Sequence, residues 1–316
     1  MNIAPLVLGG LLGIIISFTP IAAGDGPATE PSSFRIVGYL PNYREFDRVS
    51  TRGLTDLILF SVTPTATGDL NLSRLKKMPW SKLRAFKTQQ RVRLILCVGG
   101  WERSANFATV ATSDAMRQKF VNAVVKTCLD ERLDGVDLDW EHPKTEAEQE
   151  GYAKLLADLH QAFEPHGLVL SVTIAAWQKL PPKAFDVVDW VNLMAYDHPG
   201  RHSTLEGAQS DVKKLIAAGV PARKLTLGLP FYGRDIKKSN RELIYREIVA
   251  KHHPEPSVDE VDNIYFNGPE TISRKTKYAI DSGLAGVMVW ELGQDATGDQ
   301  SLLKAILGVV NQSARK

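Results

Sequence analysis

Cysteine is nearly absent, with two residues in 316, Cys97 and Cys128. So few cannot form a disulfide framework, and stability must come from a buried core. Cys97 falls in a strand pattern and Cys128 near the end of the helix pattern after it. Those positions lie at opposite sides of a strand–helix unit, which disfavours a bridge. Both are expected as small buried apolar side chains. An excess of one charge is also lacking. The net charge is +2, and basic residues are scattered with no long like-charge run. Neither nucleic acid nor an anionic membrane surface is an expected partner. Low-complexity sequence is confined to one short linker. The 44% hydrophobic and 23% charged content is that of an ordinary globular chain, with room for one large domain or two small ones.

One long hydrophobic run is present. Ile3 to Ile21 is almost unbroken apolar sequence, followed by Ala22-Ala23-Gly24. Residues 1–23 read as a secretory signal peptide, although no Lys or Arg precedes the run. The run approaches a membrane span in length, so an uncleaved anchor is the alternative. Residues 24–33, rich in Gly, Pro, Ser and Thr, read as a linker, and residues 34–316 as one domain. The mature domain is expected to be a secreted or periplasmic monomer that does not enter a membrane.

From residue 34 onward, short apolar runs alternate with amphipathic stretches. Strands are expected at 35–40, 57–63, 93–98, 135–140, 169–174, 190–195, 226–230 and 286–290. Helices are expected at 114–129, with Ser113 as N-cap, at 146–163 and at 207–218. Eight strands alternating with helices imply parallel pairing, best met by an α/β fold, the (β/α)8 TIM barrel. Active sites of such barrels lie at the C-terminal strand ends.

The fourth strand carries Asp134-Gly135-Val136-Asp137-Leu138-Asp139-Trp140-Glu141. Successive side chains of a strand point to opposite faces. Asp137, Asp139 and Glu141 therefore share one face, and Val136, Leu138 and Trp140 the other. Asp134 has the other parity and is expected to anchor the strand's start. Like charges this close raise one another's pKa, and burial raises it further. Such groups concentrate at functional sites. A solvated acidic face and a site for a hard cation are the alternatives. No EF-hand-like loop accompanies the acids.

The segment closely resembles the Asp-x-x-Asp-x-Asp-x-Glu signature of glycoside hydrolase family 18, the chitinase family. Cys97-Val98-Gly99-Gly100-Trp101 resembles the family's Ser-x-Gly-Gly motif, with Cys97 in place of Ser. Met194-Ala195-Tyr196-Asp197 resembles its Met-x-Tyr-Asp motif. The stretches 229–234 and 286–291 look like its seventh and eighth strands, so the likeness runs over about residues 34–300. The resemblance implies Glu141 as acid and base, Asp139 on the substrate's acetamido N–H, and Asp137 sharing a proton with Asp139. It implies Tyr196 and Asp197, in the motif that Met194 opens, against the N-acetyl group, and Trp290 as a floor beneath the sugar. Tyr39, Trp101 and Trp177 fall near strand ends, where core packing and sugar stacking are both open. Asp139 and Glu141 point the same way and cannot flank a sugar from opposite faces. Asp139 is thus a poor nucleophile, and this family is a recognised substrate-assisted exception to the two-carboxylate scheme.

The implied function is an endo-acting chitinase on N-acetylglucosamine polymers or oligosaccharides, retaining, with no metal or organic cofactor. An endo-β-N-acetylglucosaminidase and a chitin-oligosaccharide-binding lectin are the alternatives. Many family members carry an α+β insertion between strands seven and eight. Residues 235–285 already hold two helix patterns, near 240–250 and 269–282, leaving little room for it. An open cleft without a second wall is expected.

Overall fold

The computed structural model describes Met1 and residues 34–237 and 241–315. The expected signal segment and linker lie outside the described residues. Strands β1 (Arg35–Pro41), β2 (Asp56–Pro64), β3 (Arg93–Gly99), β4 (Gly135–Asp139), β5 (Val169–Ala175), β6 (Trp190–Met194), β7 (Leu225–Pro230) and β8 (Gly286–Trp290) form a parallel sheet. Each pairs with the next in chain order, and β1 pairs with both β2 and β8, which closes the barrel. Helices α1 (Trp80–Gln90), α2 (Asp114–Glu131), α3 (Glu146–Phe163), α4 (Leu205–Ala217), α5 (Tyr245–His252), α6 (Pro269–Asp281) and α7 (Leu302–Ser313) accompany it. Among the described residues no helix is long and apolar enough to cross a membrane.

Local chemistry explains the helix starts. The Ser113 side chain accepts from the Met116 N–H, as expected. Thr145 and Glu148 form a reciprocal capping box at α3, which satisfies two otherwise orphaned N–H groups. Alternation explains the two cores. Outward residues pack against helices: Trp140 stacks on Phe107 at 5.4 Å and meets Tyr152 edge-on at 5.2 Å. Inward residues such as Val37, Ile58, Ile95, Cys97, Trp190 and Met288 fill the barrel. Both cysteines are buried and unpaired, in the inner core and the outer one respectively.

The N-terminal ends of the strands are held by charge. Asp56 is fully buried and accepts from Arg93 Nε at 2.6 Å, from Arg35 at 3.3 Å and from Thr55 Oγ1 at 2.6 Å. Asp134 accepts from the Leu94 N–H at 2.8 Å and pairs with Lys87 at 2.7 Å, so it does anchor the start of β4.

The segment after β7 differs from expectation. It contains a four-stranded antiparallel sheet, in the order Glu242–Ile244, Tyr232–Asp235, Ile264–Tyr265, Glu260–Val261. These strands are two to four residues long, too short to carry a readable alternation. They exist through pairing between distant residues. The sheet brings Arg234 and Glu242 beside the barrel mouth, which the length of the segment did not reveal.

Asp56→Ala would leave Arg35 and Arg93 without their buried partner. Removing one side of a fully buried pair costs about 3–5 kcal/mol, and the partial exposure of Arg35 and Arg93 puts this change below that range. A lower denaturant midpoint with unchanged activity per folded molecule is expected, because Asp56 lies at the end opposite the barrel mouth. A midpoint equal to wild type would show that the two arginines find other partners.

Candidate active site

The motif acids form a ladder that rises from the barrel interior toward its mouth. Asp137 is fully buried, Asp139 is 3% exposed and the Glu141 side chain 12% exposed. A charge as deep as Asp137 requires donors. Its Oδ1 accepts from Ser171 Oγ at 2.6 Å and Asn192 Nδ2 at 3.0 Å. Its Oδ2 accepts from the Tyr39 hydroxyl at 2.7 Å and Thr173 Oγ1 at 3.0 Å. These donors come from β1, β5 and β6, so three strands converge on one carboxylate. Asp139 has no such shell: its buried Oδ1 has no hydrogen-bond partner.

This difference sets where protons sit. Burial raises Asp137, while the bonds from Ser171, Tyr39, Thr173 and Asn192 pull it back. Burial, then the charges of Glu141 and Asp137, push Asp139 well above the carboxylate range. Negative charge therefore rests best on Asp137 and a proton on Asp139. Both oxygens of Asp137 accept hydrogen bonds, and its charge is among the causes that raise Asp139. Burial, with the Asp197 charge second, pushes Glu141 up to about 7.

The Gly99-Gly100 pair lets β3 pass close beneath the acids. Both residues have φ near +100°, a region closed to most side chains. A Cβ on Gly99 would lie 2.2 Å from the Asp139 carbonyl, and the Gly100 N–H donates to that carbonyl at 2.6 Å. Ser104 Oγ accepts from the Glu141 N–H at 3.0 Å, which fixes the backbone where β4 has ended.

The loop after β6 supplies the facing side. Asp197 adopts φ +64°, and its Oδ1 accepts from the Tyr232 hydroxyl and Arg234 Nε, each at 2.6 Å. Buried His202 stacks on Tyr232 at 4.9 Å, and burial holds its pKa down at about 3, so it is neutral. Lys275 of α6, wholly buried, donates to the Ser203 carbonyl and Ser203 Oγ at 2.7 Å and to Asn267 Oδ1 at 2.8 Å. Ser203 Oγ in turn donates to the Ala195 carbonyl at 3.0 Å. The outer helix thus clamps the loop that carries Tyr196 and Asp197.

These groups enclose a cavity of about 540 Å3 at the C-terminal strand ends. Of the sequence candidates, Glu141, Asp139, Tyr196, Asp197, Met194, Trp290, Trp101 and Tyr39 all line it, and Asp137 sits beneath. Trp290 is partly buried, packed against Tyr39 at 5.4 Å and Phe60 at 4.7 Å. Tyr39 is 1% exposed and its hydroxyl is committed to Asp137 and Thr173. It braces the acids and the Trp290 ring, and sequence alone left that undecided. Trp101 is 69% exposed at the rim. Tyr232, Arg234 and Glu242 also line the cavity and were not among the candidates. Tyr232 and Arg234 lay inside a stretch read as barrel strand seven. That strand stops at Pro230, and both residues belong to the small sheet. Glu242 carries no sequence signal at all.

The model of a known family, Glycosyl hydrolases family 18, matches residues 35–295. The chain belongs to that family. This family-18 chain is 27% identical over 285 residues to "Probable chitinase 2" of Drosophila melanogaster, covering 68% of itself and 59% of that protein. It is 28% identical over 283 residues to "Chitinase 1" of Aphanocladium album, covering 70% of itself and 66% of that protein. It therefore spans about three-fifths to two-thirds of these relatives. Among solved structures, the family-18 chitinase ChiB from the chitin utilization locus of Flavobacterium johnsoniae superposes with a TM-score of 0.80 at 26% identity, covering 89% of this chain and 95% of that one.

Removing the Asp197 charge should lower the Glu141 pKa, because a like charge no longer opposes ionisation. In a carboxyl titration by isotope-edited spectroscopy, wild-type Glu141 should titrate at about 7 and in Asp197→Asn at a lower pH. An unmoved titration would mean that burial alone sets the proton.

Proposed function

We propose that this chain is an endo-acting chitinase that cuts β-1,4 links between N-acetylglucosamine units with substrate assistance and retention. The observation that carries this reading is the unpartnered, buried Oδ1 of Asp139, next to a carboxyl that keeps its proton near neutrality. A buried acceptor without a donor asks for an N–H from a ligand. The acetamido group of the sugar offers one. Family membership and the chitinase names of the relatives support the same substrate.

The chemistry follows from the placement. Asp139 and Glu141 rise from one face of one strand, and the carboxylates across the cavity are tied up, Asp197 by Tyr232 and Arg234 and Glu242 by Gln294. The acetamido carbonyl oxygen attacks the anomeric carbon while Glu141 protonates the leaving oxygen and that C–O bond breaks. Asp139 accepts from the acetamido N–H, and the charge held below on Asp137 stabilises the oxazolinium cation. Tyr196 and Asp197 orient the N-acetyl group over Trp290. Glu141, now anionic, takes a proton from water as the water's oxygen attacks the same carbon. The ring opens, and two inversions leave net retention.

Glu141→Gln should lower turnover by at least the 10²–10⁴-fold typical of general acid catalysis while oligosaccharide binding persists. A residual rate above about a tenth on an unactivated substrate would exclude Glu141 as the acid. Cellulose oligomers, which lack the acetamide, should not be cut. A thiazoline analogue of the cyclic intermediate should inhibit strongly, since mimics of high-energy states bind far tighter than substrates.

Arg234 and Glu242 line one side of the cavity, and Trp101 stands open at the rim. Such a cleft favours internal cutting over sliding from a chain end. The viscosity of soluble chitin polymer should fall before much disaccharide accumulates. Steady disaccharide release at constant viscosity would contradict endo action.

A further inference from the structure

The cavity above Asp139 accounts for one side of Glu141. A second hollow, of about 320 Å3, opens on the other side. Both hollows are bordered by Trp101, Glu141, Tyr196 and Asp197, so the proton donor stands on the divide between them. The bond that receives its proton must lie on that divide too. The sugar whose acetamide meets Asp139 fills the first hollow, and the leaving half of the chain must then enter the second.

One wall of the second hollow is Trp177, from the loop after β5. The residue is 68% exposed, which leaves much of a large apolar ring facing water. The ring is nevertheless braced. It packs edge-on against His142 at 4.4 Å. His142 Nδ1 is hydrogen-bonded to Gln178 Oε1 at 2.8 Å, and Gln178 is 6% exposed. An exposed ring on a fixed mount suits the apolar C–H face of a sugar, whose hydroxyls stay free at the edge. Trp101 borders both hollows and so stands astride the divide, whereas Trp177 borders the second alone.

We propose that Trp177, mounted on His142 and Gln178, is the stacking platform for the second N-acetylglucosamine unit on the leaving-group side, and so sets a preference for chains extending at least two sugars beyond the scissile bond. This rests on the activity proposed above. The exposed position means that substitution there leaves the barrel core untouched.

The test compares two substrates in Trp177→Ala, Trp177→Phe and wild type. One is the hexamer of N-acetylglucosamine. The other is an aryl glycoside of the dimer, which has no sugar beyond the cut. The expected result is a fall of about tenfold in the ratio of kcat/KM on hexamer to kcat/KM on aryl glycoside in Trp177→Ala, the size of one lost aromatic contact. The loss should appear mainly in KM, and Trp177→Phe should recover most of the ratio. A ratio within twofold of wild type in Trp177→Ala, or no recovery in Trp177→Phe, would overturn the platform while leaving the activity standing. Wild-type protein that cleaves neither substrate would overturn the activity and the platform together.

Discussion

The structure depends on one constraint: a strand within a closed barrel has no solvent face. The acidic side of β4 must point into the interior, where a bare carboxylate is untenable. Asp137 survives there because Tyr39, Ser171, Thr173 and Asn192 all donate to it. The polar character of the neighbouring strands follows from that need. Asn192 is itself held by Trp190 Nε1 and Thr226 Oγ1, which extends the network to β7. A half-satisfied network would be worse than an apolar core, and around Asp137 this one is complete.

Asp139 is the place where completeness stops. Its unpartnered oxygen and its raised pKa are two consequences of the same missing shell. Glu141 lies one step nearer the mouth, less enclosed, with a pKa close to neutrality. Outside the ladder, the Arg234–Asp197 pair and the Lys275–Ser203 clamp hold the opposite rim. Both charged groups of the rim reach it from elements that follow β6, so the site closes through contacts far apart in sequence.

The barrel was legible because each strand is a short apolar run between turn signals, and the helices at 114–131, 146–163 and 205–217 have their own caps. The start of α3 was readable to the residue, since Thr145 and Glu148 form their capping box locally. The small sheet after β7 was not readable. Its strands of two to four residues have no period to detect, and long-range pairing makes them. Arg234 and Glu242 reach the cavity through that sheet, so they escaped notice for the same reason. Tyr39 was ambiguous because a strand-end aromatic looks the same whether its hydroxyl faces a ligand or a buried acid.

What the sequence by itself determined was parity and order. Alternation along residues 135–141 puts the acids on one face whatever surrounds them, and the repeated strand–helix pattern puts that face at a barrel mouth. What the tertiary structure alone decided was environment. It chose which carboxyl is satisfied and which is left open, turned Tyr39 into a brace, brought Arg234 to Asp197, and mounted Trp177 beside His142. The physical reason is that periodicity is a property of neighbours along the chain. Burial, hydrogen-bond partners and pKa are properties of neighbours in space, and closing the barrel supplies those.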